Sequence, residues 1–169
     1  MLIRIGDARL FKAFPHCVIA TCHTFGGSKY KVFNEKGEEE QAPFECCERD
    51  VKECNGMVIF DKRAILLTST GKFLSNKDGE KIFQRHEIKG DKIKISWNEE
   101  LTEWYDFSGN LIAGIEGSRK PQKLYDKDNK VIAVIEAYPL QYVNEVMDSE
   151  KNIVGLSFLL SGEKVFYWF

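Results

Sequence analysis

Residues 105–116 read YDFSGNLIAGIE, and residues 125–136, twenty positions further on, read YDKDNKVIAVIE. Each stretch has an aromatic residue and Asp, two variable positions, Gly or Asn, one polar residue, and then apolar residues that favour strands. An Asp at this place accepts hydrogen bonds from the backbone N–H groups of a turn, and Gly or Asn tolerates the left-handed conformation that such a turn needs. The repeated pattern therefore predicts two β-hairpins.

Four other stretches carry weaker copies of this hairpin pattern: residues 30–37, 60–67, 73–83 and 146–155. Six turn units imply about twelve strands, which is more than one flat sheet holds comfortably. We therefore expect an antiparallel all-β protein whose strands close into a barrel or pack as two sheets. The turns themselves are expected at residues 34–37, 76–79, 106–109 and 126–129.

The composition is that of an ordinary globular protein. The chain has 169 residues, of which 43% are hydrophobic and 30% charged, so we expect one domain spanning residues 1–169 with a sizeable core. The formal net charge of -2 argues against a general nucleic-acid binder, because such proteins carry a basic excess. No apolar run reaches the roughly 20 residues that span a bilayer.

The cysteine pattern indicates a reducing compartment. The N-terminal residues lack the apolar core of a signal peptide, and the number of cysteines is odd. We therefore expect a cytoplasmic protein, or one at the periphery of a membrane, whose thiols are reduced. No Cys-x-x-Cys pair occurs, so the spacing does not match zinc fingers, and we expect no metal and no cofactor. The cysteines are Cys17, Cys22, Cys46, Cys47 and Cys54.

No pattern of catalytic residues stands out. Cys22 and His23 are adjacent, so on a strand their side chains point to opposite faces and cannot act as a pair. Glu99, Glu100 and Glu103 lie beside aromatic residues, as acid pairs do in glycosidases, but this stretch is typical of a solvated turn. We therefore expect a protein that is not an enzyme.

Two basic stretches form a candidate site for an anionic ligand. Residues 117–123 read GSRKPQK and form a basic loop between the two best hairpins, while Lys92 and Lys94 project from one face of a predicted strand. Cationic side chains are what a phosphate group needs. The alternative is that these lysines guard an edge strand against aggregation. The candidate binding residues are Lys92, Lys94, Arg119, Lys120 and Lys123.

The C-terminal apolar run, residues 153–160, has two interpretations. It forms either a helix enclosed by strands or a strand paired to residues 165–169 through the sequence SGEK at 161–164. Gly155 and the hairpin-like SGEK favour the strand on local grounds. The side chains on both faces of such a strand would be largely apolar, so both faces would have to be buried. A helix that fills a barrel is surrounded by strands, and all its apolar side chains are then buried.

Three features together resemble the tubby-like superfamily, which includes LURP-one-related proteins and phospholipid scramblases. They are the hairpins at 105–116 and 125–136, the stretch 30–37 followed by Cys46, Cys47 and Cys54, and the closing segment 148–169. The resemblance implies a barrel of about twelve antiparallel strands around a C-terminal hydrophobic helix, here residues 153–160. This is the fold we predict, and the alternative is a two-sheet sandwich of hairpin repeats.

The resemblance also implies a function, that of a non-enzymatic barrel which binds an anionic lipid or a membrane surface, like scramblases and LURP-one-related proteins. The alternative is a protein-interaction module, for example an immunity or antitoxin-type protein, whose acidic patch meets a basic protein partner. A nucleic-acid partner is not expected. The acidic patch consists of Glu38, Glu39, Glu40, Glu45 and Glu48.

Overall fold

The structure is a computed structural model that describes residues 2–14, 17–25, 27–40, 51–60, 64–117, 121–135 and 143–169. Contacts within the chain divide it into two compact units. The first comprises Met1–Ile82 and Phe107–Gly109, and the second comprises Phe83–Asp106 and Asn110–Phe169. Each unit is described by itself, and the expectation of a single domain stays a prediction.

The first unit contains two antiparallel sheets. Its strands are β1 (Arg9–Phe14), β2 (Cys17–Thr24), β3 (Gly27–Asn34), β4 (Glu39–Glu40), β5 (Val51–Cys54), β6 (Met57–Phe60) and β7 (Ile65–Leu67). One sheet has the order β1-β2-β3-β4 and the other the order β5-β6-β7. A single hydrophobic cluster includes Ile19 and Val32 from the first sheet and Phe60 and Leu67 from the second, so the core of this unit lies between the two sheets.

The second unit also packs two sheets face to face. Its strands are β8 (Arg85–Lys89), β9 (Lys92–Ser96), β10 (Leu101–Asp106), β11 (Leu111–Glu116), β12 (Gln122–Asp126), β13 (Val131–Ile135), β14 (Asn144–Met147), β15 (Ile153–Leu160) and β16 (Glu163–Trp168). The six-stranded sheet has the order β13-β12-β11-β10-β9-β8, and the three-stranded sheet has the order β14-β15-β16. Trp104 and Leu124 from the larger sheet meet Leu156 and Phe158 from the smaller one in a shared core.

The turn between β12 and β13 shows how the repeated sequence pattern folds. The Asp126 carboxylate accepts hydrogen bonds from the backbone N–H groups of Asp128, at 2.9 Å, and Lys130, at 3.0 Å. The Asp126 N–H donates to the Lys130 carbonyl, and the Asn129 N–H donates to the Asp126 carbonyl. Asn129 has a φ of 60°, the left-handed conformation that the pattern predicts at this position.

The same turn recurs along the chain. Asn34, Asn76 and Asp148 each accept the two corresponding backbone N–H groups, and Asp106 accepts the one from Asn110. The residue three positions further on has a positive φ in every copy, at Gly37, Gly79, Gly109 and Lys151. The predicted turns at 34–37, 76–79, 106–109 and 126–129 are therefore confirmed. A further copy was not predicted: Thr68 takes the place of the Asp, and Gly71 has the positive φ.

The predicted barrel and its C-terminal helix are wrong. The described residues form sixteen strands and no helix, and their four antiparallel sheets do not close into a barrel. Residues 153–160 form β15, which lies between β14 and β16 and pairs with β16 from Gly155↔Trp168 to Leu160↔Glu163. The fold implied by the tubby-like resemblance is thus not the fold of the described residues, and the alternative of packed sheets of hairpins is closer.

The physical reason for this error lies in the outer row of β15. Leu156 and Phe158 face the core, as a strand requires. The other row begins with Gly155 and Ser157, and the Phe166 ring occupies the space that a side chain at Gly155 would need. An aromatic side chain from the neighbouring strand therefore covers this row in part, and no enclosing barrel is needed.

The turn geometry predicts that Asp126→Ala lowers the free energy of unfolding by about 1–2 kcal/mol, because two backbone N–H groups lose their acceptor. Asp126→Asn should cost less than about 0.5 kcal/mol, since Asn34 and Asn76 fill the same role in their own turns. Urea unfolding followed by circular dichroism measures both. Equal losses in the two variants would contradict the conclusion that the side-chain oxygen of residue 126 stabilises the turn by accepting these two hydrogen bonds.

Candidate interaction surface

The structure does not bring the predicted basic residues together. Lys92 and Lys94 of β9 lie on the same face of the six-stranded sheet as Trp104 of β10, because Lys94 and Trp104 are directly paired across the two strands. Lys123 lies on the opposite face of the same sheet, since it is paired with Glu116, one residue after the core-facing pair Ile115–Leu124. Arg119 and Lys120 lie outside the described residues.

Lys92 and Lys94 each have an acidic partner. The Lys92 ammonium lies 2.9 Å from the Asp91 carboxylate, and the Lys94 ammonium lies 3.3 Å from Glu145. Both lysines also lie over aromatic rings, Lys92 over Phe169 at 6.0 Å and Lys94 over Trp104 at 5.7 Å. The positive charges of Lys92 and Lys94 are therefore largely balanced by acidic side chains of the protein itself. Little of that charge remains to attract an anionic surface.

Glu145 is the centre of this charged cluster. It projects from β14 toward the larger sheet, where its carboxylate accepts hydrogen bonds from Lys89 at 2.6 Å and from the Trp104 indole at 3.1 Å. Burial opposes ionisation of Glu145, but the Lys89 hydrogen bond, the Lys94 charge and the indole N–H together hold the pKa of this carboxyl below its ordinary value. Glu145 thus fastens the smaller sheet to the larger one.

A cleft of about 150 Å³ lies beside this cluster. Its lining combines cations, hydroxyl groups and an indole with one carboxylate, which is enough to hold a small polar molecule. The carboxylate is already engaged by two lysines and the indole, however, so the cleft offers few unsatisfied groups. The residues lining it include Arg85, Lys94, Ser96, Thr102, Trp104 and Glu145.

Glu103 is a buried acid that the sequence analysis wrongly placed in a solvated turn. It lies in β10, is fully buried, and accepts hydrogen bonds from the hydroxyl groups of Tyr105 and, at 2.6 Å, Tyr125. Burial, with the Glu103 charge and hydrogen bond, raises the pKa of both tyrosines above the ordinary value. The two tyrosines fill the aromatic position of the two central repeats, and this was the signal available in the sequence.

Three of the five cysteines lie in the part of the chain that the structure describes. Among the described residues, no group of three or more His, Cys, Asp and Glu side chains is placed to hold a metal ion. Cys17, Cys22 and Cys54 are free thiols, and Cys46 and Cys47 lie outside the described residues. Burial first, and the charge of Glu53 second, raise the pKa of Cys17 to about 11, so this thiol is not a ready nucleophile.

The predicted acidic patch is only partly described, and two of its described members, Glu38 and Glu39, already have partners. The Glu38 carboxylate accepts a hydrogen bond from the Asn34 amide at 2.7 Å within a turn. Glu39 forms an ion pair with Lys31 at 3.1 Å. Glu45 and Glu48 lie outside the described residues. The role of this patch as a surface for a basic partner stays a prediction.

The outer face of the three-stranded sheet carries an exposed aromatic pair. Trp168 is 70% exposed and Phe166 38% exposed, and their rings meet edge to face with centroids 4.7 Å apart. Leu159 lies on the same face and is 41% exposed. Because the two rings already pack against each other, they would lose little conformational freedom if a partner bound there.

A groove of about 210 Å³ lies next to this pair. Asn144 and Ser157 supply an amide and a hydroxyl group, Leu159 supplies an apolar wall, and Lys164 supplies a cation. We call the face formed by Asn144, Val146, Gly155, Ser157, Leu159, Lys164, Phe166 and Trp168 the outer aromatic face. Its chemistry suits an apolar ligand that carries a carboxylate. The sequence analysis missed it because it took the C-terminal aromatic residues only as pairing partners for residues 153–160.

Comparisons with known proteins leave the chain without a family assignment: no protein-family model matches it, and neither does any curated protein sequence. The resemblance to the tubby-like superfamily therefore stays a prediction. Within the described residues, no helix has the length and hydrophobicity that a membrane crossing requires.

The lowered pKa of Glu145 predicts that this residue stabilises the folded state above about pH 4.3, its ordinary pKa, and that the stabilisation is lost as the pH falls through the folded-state pKa. Glu145→Gln should lower the free energy of unfolding at pH 7 by about 2 kcal/mol, because the hydrogen bonds to a charged acceptor are lost. The free energy of unfolding of this variant should also fall less steeply as the pH is lowered from 7 to 3. Urea unfolding between pH 3 and pH 7 measures this. Glu163→Gln, at the exposed start of β16, is the control and should behave as the wild type.

The raised pKa of Tyr105 and Tyr125 predicts the opposite dependence at alkaline pH. Their contribution to stability is fully present below about pH 10, the ordinary tyrosine pKa, and is lost as the pH rises beyond it. Phenolate absorbance should show two tyrosines that ionise only as the protein unfolds. In Tyr105→Phe/Tyr125→Phe these two should disappear from the titration, and ordinary titration of every tyrosine in the folded wild type would contradict the prediction.

Proposed function

We propose that this protein is a non-enzymatic interaction module that binds an apolar, acidic protein segment on the outer aromatic face. The observation that carries the proposal is the exposure of Phe166 and Trp168 as a packed pair on one sheet face. Exposed aromatic residues that cluster on one face are uncommon unless they meet a partner, and Trp contributes more than most residues to binding energy at protein interfaces.

The charge and polarity of the face indicate the chemistry of the partner. Lys164 is the cationic member of the outer aromatic face, and the face contains no acid. Asn144 and Ser157 beside it are directional hydrogen-bonding groups. A peptide backbone with an acidic side chain satisfies all three groups, whereas lipid tails would leave the amide and the hydroxyl group without partners.

A membrane surface, the first function expected from the sequence, has weaker support. Stable attachment to anionic lipid needs several basic residues that are free to meet the headgroups, each contributing about 1 kcal/mol. Lys92 and Lys94 are paired with acids, and Lys123 lies on the other face of its sheet. One lysine beside the aromatic pair does not make such a surface.

The test is a selection of binding peptides from a displayed library of random linear peptides. We expect the selected peptides to combine apolar or aromatic residues with Asp or Glu. Binding should fall by about 30-fold or more in Phe166→Ala/Trp168→Ala, as for a binding hot spot. Val131→Ala changes an exposed apolar side chain elsewhere in the same unit and should leave binding unchanged.

Charge reversal adds a sharper test. In Lys164→Glu the preference of selected peptides should change from acidic to basic residues, because this side chain supplies the charge on the face. Trp168 emission, recorded with peptides and with vesicles of phosphatidylcholine and phosphatidylserine, separates the two kinds of partner. Peptides that bind independently of Trp168, or a blue shift with vesicles and none with peptides, would overturn the proposal.

A further inference from the structure

The hydrogen bonds between β15 and β16 determine which backbone groups of β16 point away from the three-stranded sheet. The Phe169 N–H donates to the Val154 carbonyl at 2.9 Å, so these two residues form a hydrogen-bonded pair. In an antiparallel ladder such pairs alternate with pairs that share no hydrogen bond. The pairing of β16 with β15 has no register shift, so the residues of β16 that share no hydrogen bond with β15 are Lys164, Phe166 and Trp168.

These three residues therefore direct their backbone N–H and C=O groups toward the outer edge of β16. Among the described strands β16 pairs only with β15, so this edge is open to a further strand. The side chains of the same residues lie on the outer aromatic face, where Phe166 and Trp168 form the exposed pair. A segment that adds to this edge would thus gain backbone hydrogen bonds and side-chain contacts from one set of residues.

Charged residues protect only one end of this edge. Proteins usually place charges on edge strands to prevent pairing with other chains. Glu163 and Lys164 supply such charges at the start of β16, whereas residues 165–168 carry none. Among the described residues no acid forms an ion pair with Lys164, in contrast to Lys92 and Lys94. The edge therefore favours an added strand that places an acid opposite Lys164 and apolar side chains opposite the aromatic pair.

We propose that the protein segment bound by the outer aromatic face adds to the open edge of β16 as a fourth, antiparallel strand of this sheet. The inference rests on the proposed function, because it concerns the partner of the same face. Antiparallel pairing is favoured because directly opposed residues exchange two hydrogen bonds that lie perpendicular to the strands. Residues opposite Trp168, Phe166 and Lys164 then follow one another at every second position of the partner. Read from its N-terminus, the partner has the motif apolar-x-apolar-x-acid, where x is any residue.

The order of residues in peptides selected from the random library tests the direction of the added strand. We expect the apolar-x-apolar-x-acid motif to be enriched, because an antiparallel partner meets Trp168 first and Lys164 last. A parallel partner meets these residues in the opposite order. Enrichment of acid-x-apolar-x-apolar, or of acids and apolar residues without alternation, would overturn antiparallel strand addition.

Backbone N-methylation of a peptide tests the hydrogen bonds directly. In the proposed pairing the three motif residues turn their N–H groups toward β16, and the two x residues turn theirs away. The probe is a synthetic peptide with the selected motif, N-methylated at one residue at a time, and its affinity for the full chain is measured by fluorescence anisotropy. N-methylation of the residue opposite Phe166 should weaken binding at least about tenfold, because a donor is lost and a methyl group is placed between the strands. N-methylation of the neighbouring x residue is the control and should change the affinity less than about twofold.

The outcomes separate this inference from the proposed function. Peptides that lose affinity in Phe166→Ala/Trp168→Ala but tolerate N-methylation at every residue would bind the face without adding a strand. That result would overturn strand addition and leave the proposed function standing, as would equal losses from N-methylation at the two positions. If no selected peptide depends on the aromatic pair, both fail. Because N-methylation alters only the peptide, a change in the folding of the protein cannot produce the expected alternation.

Discussion

The hydrogen bonds from backbone N–H groups to an Asp or Asn side chain at the start of each turn are the interactions on which the rest of the structure depends. Asp126 accepts two such bonds, and Asn34, Asn76 and Asp148 repeat the arrangement. Each turn reverses the chain at a fixed residue, so it also fixes which side chains face the core in the next strand.

The candidate surface follows from this register. The turn at Asp148 sets the pairing of β14 with β15, which directs Glu145 inward onto the lysines and leaves Asn144 on the outside. Gly155 and Ser157 then share the outer face with Phe166 and Trp168, which are their direct partners on β16. An exposed aromatic pair beside a polar groove is therefore a result of strand register rather than of a loop built for binding.

Whether an interaction could be predicted from the sequence depended on how far apart its two partners lie along the chain. The turns could be predicted because a residue such as Asp126 bonds to backbone N–H groups no more than four residues away in the sequence. The role of Glu103 could not, because one of its two hydroxyl partners lies 22 residues away, in the next repeat. The pairing of Lys94 with Glu145 and the packing of the Phe166 ring over Gly155 could not be predicted for the same reason. The second of these contacts helps to explain why residues 153–160 form a strand and not the predicted helix.

In all four sheets every strand pairs with its neighbours along the chain. A chain connected in this way closes only short loops as it folds, so each hairpin can form on its own timescale of about 1–10 μs without waiting for a distant segment.

The connectivity also bears on evolution. Adding or deleting one hairpin at the end of a sheet leaves the pairing of the remaining strands unchanged, so copies of such a protein with more or fewer repeats remain foldable.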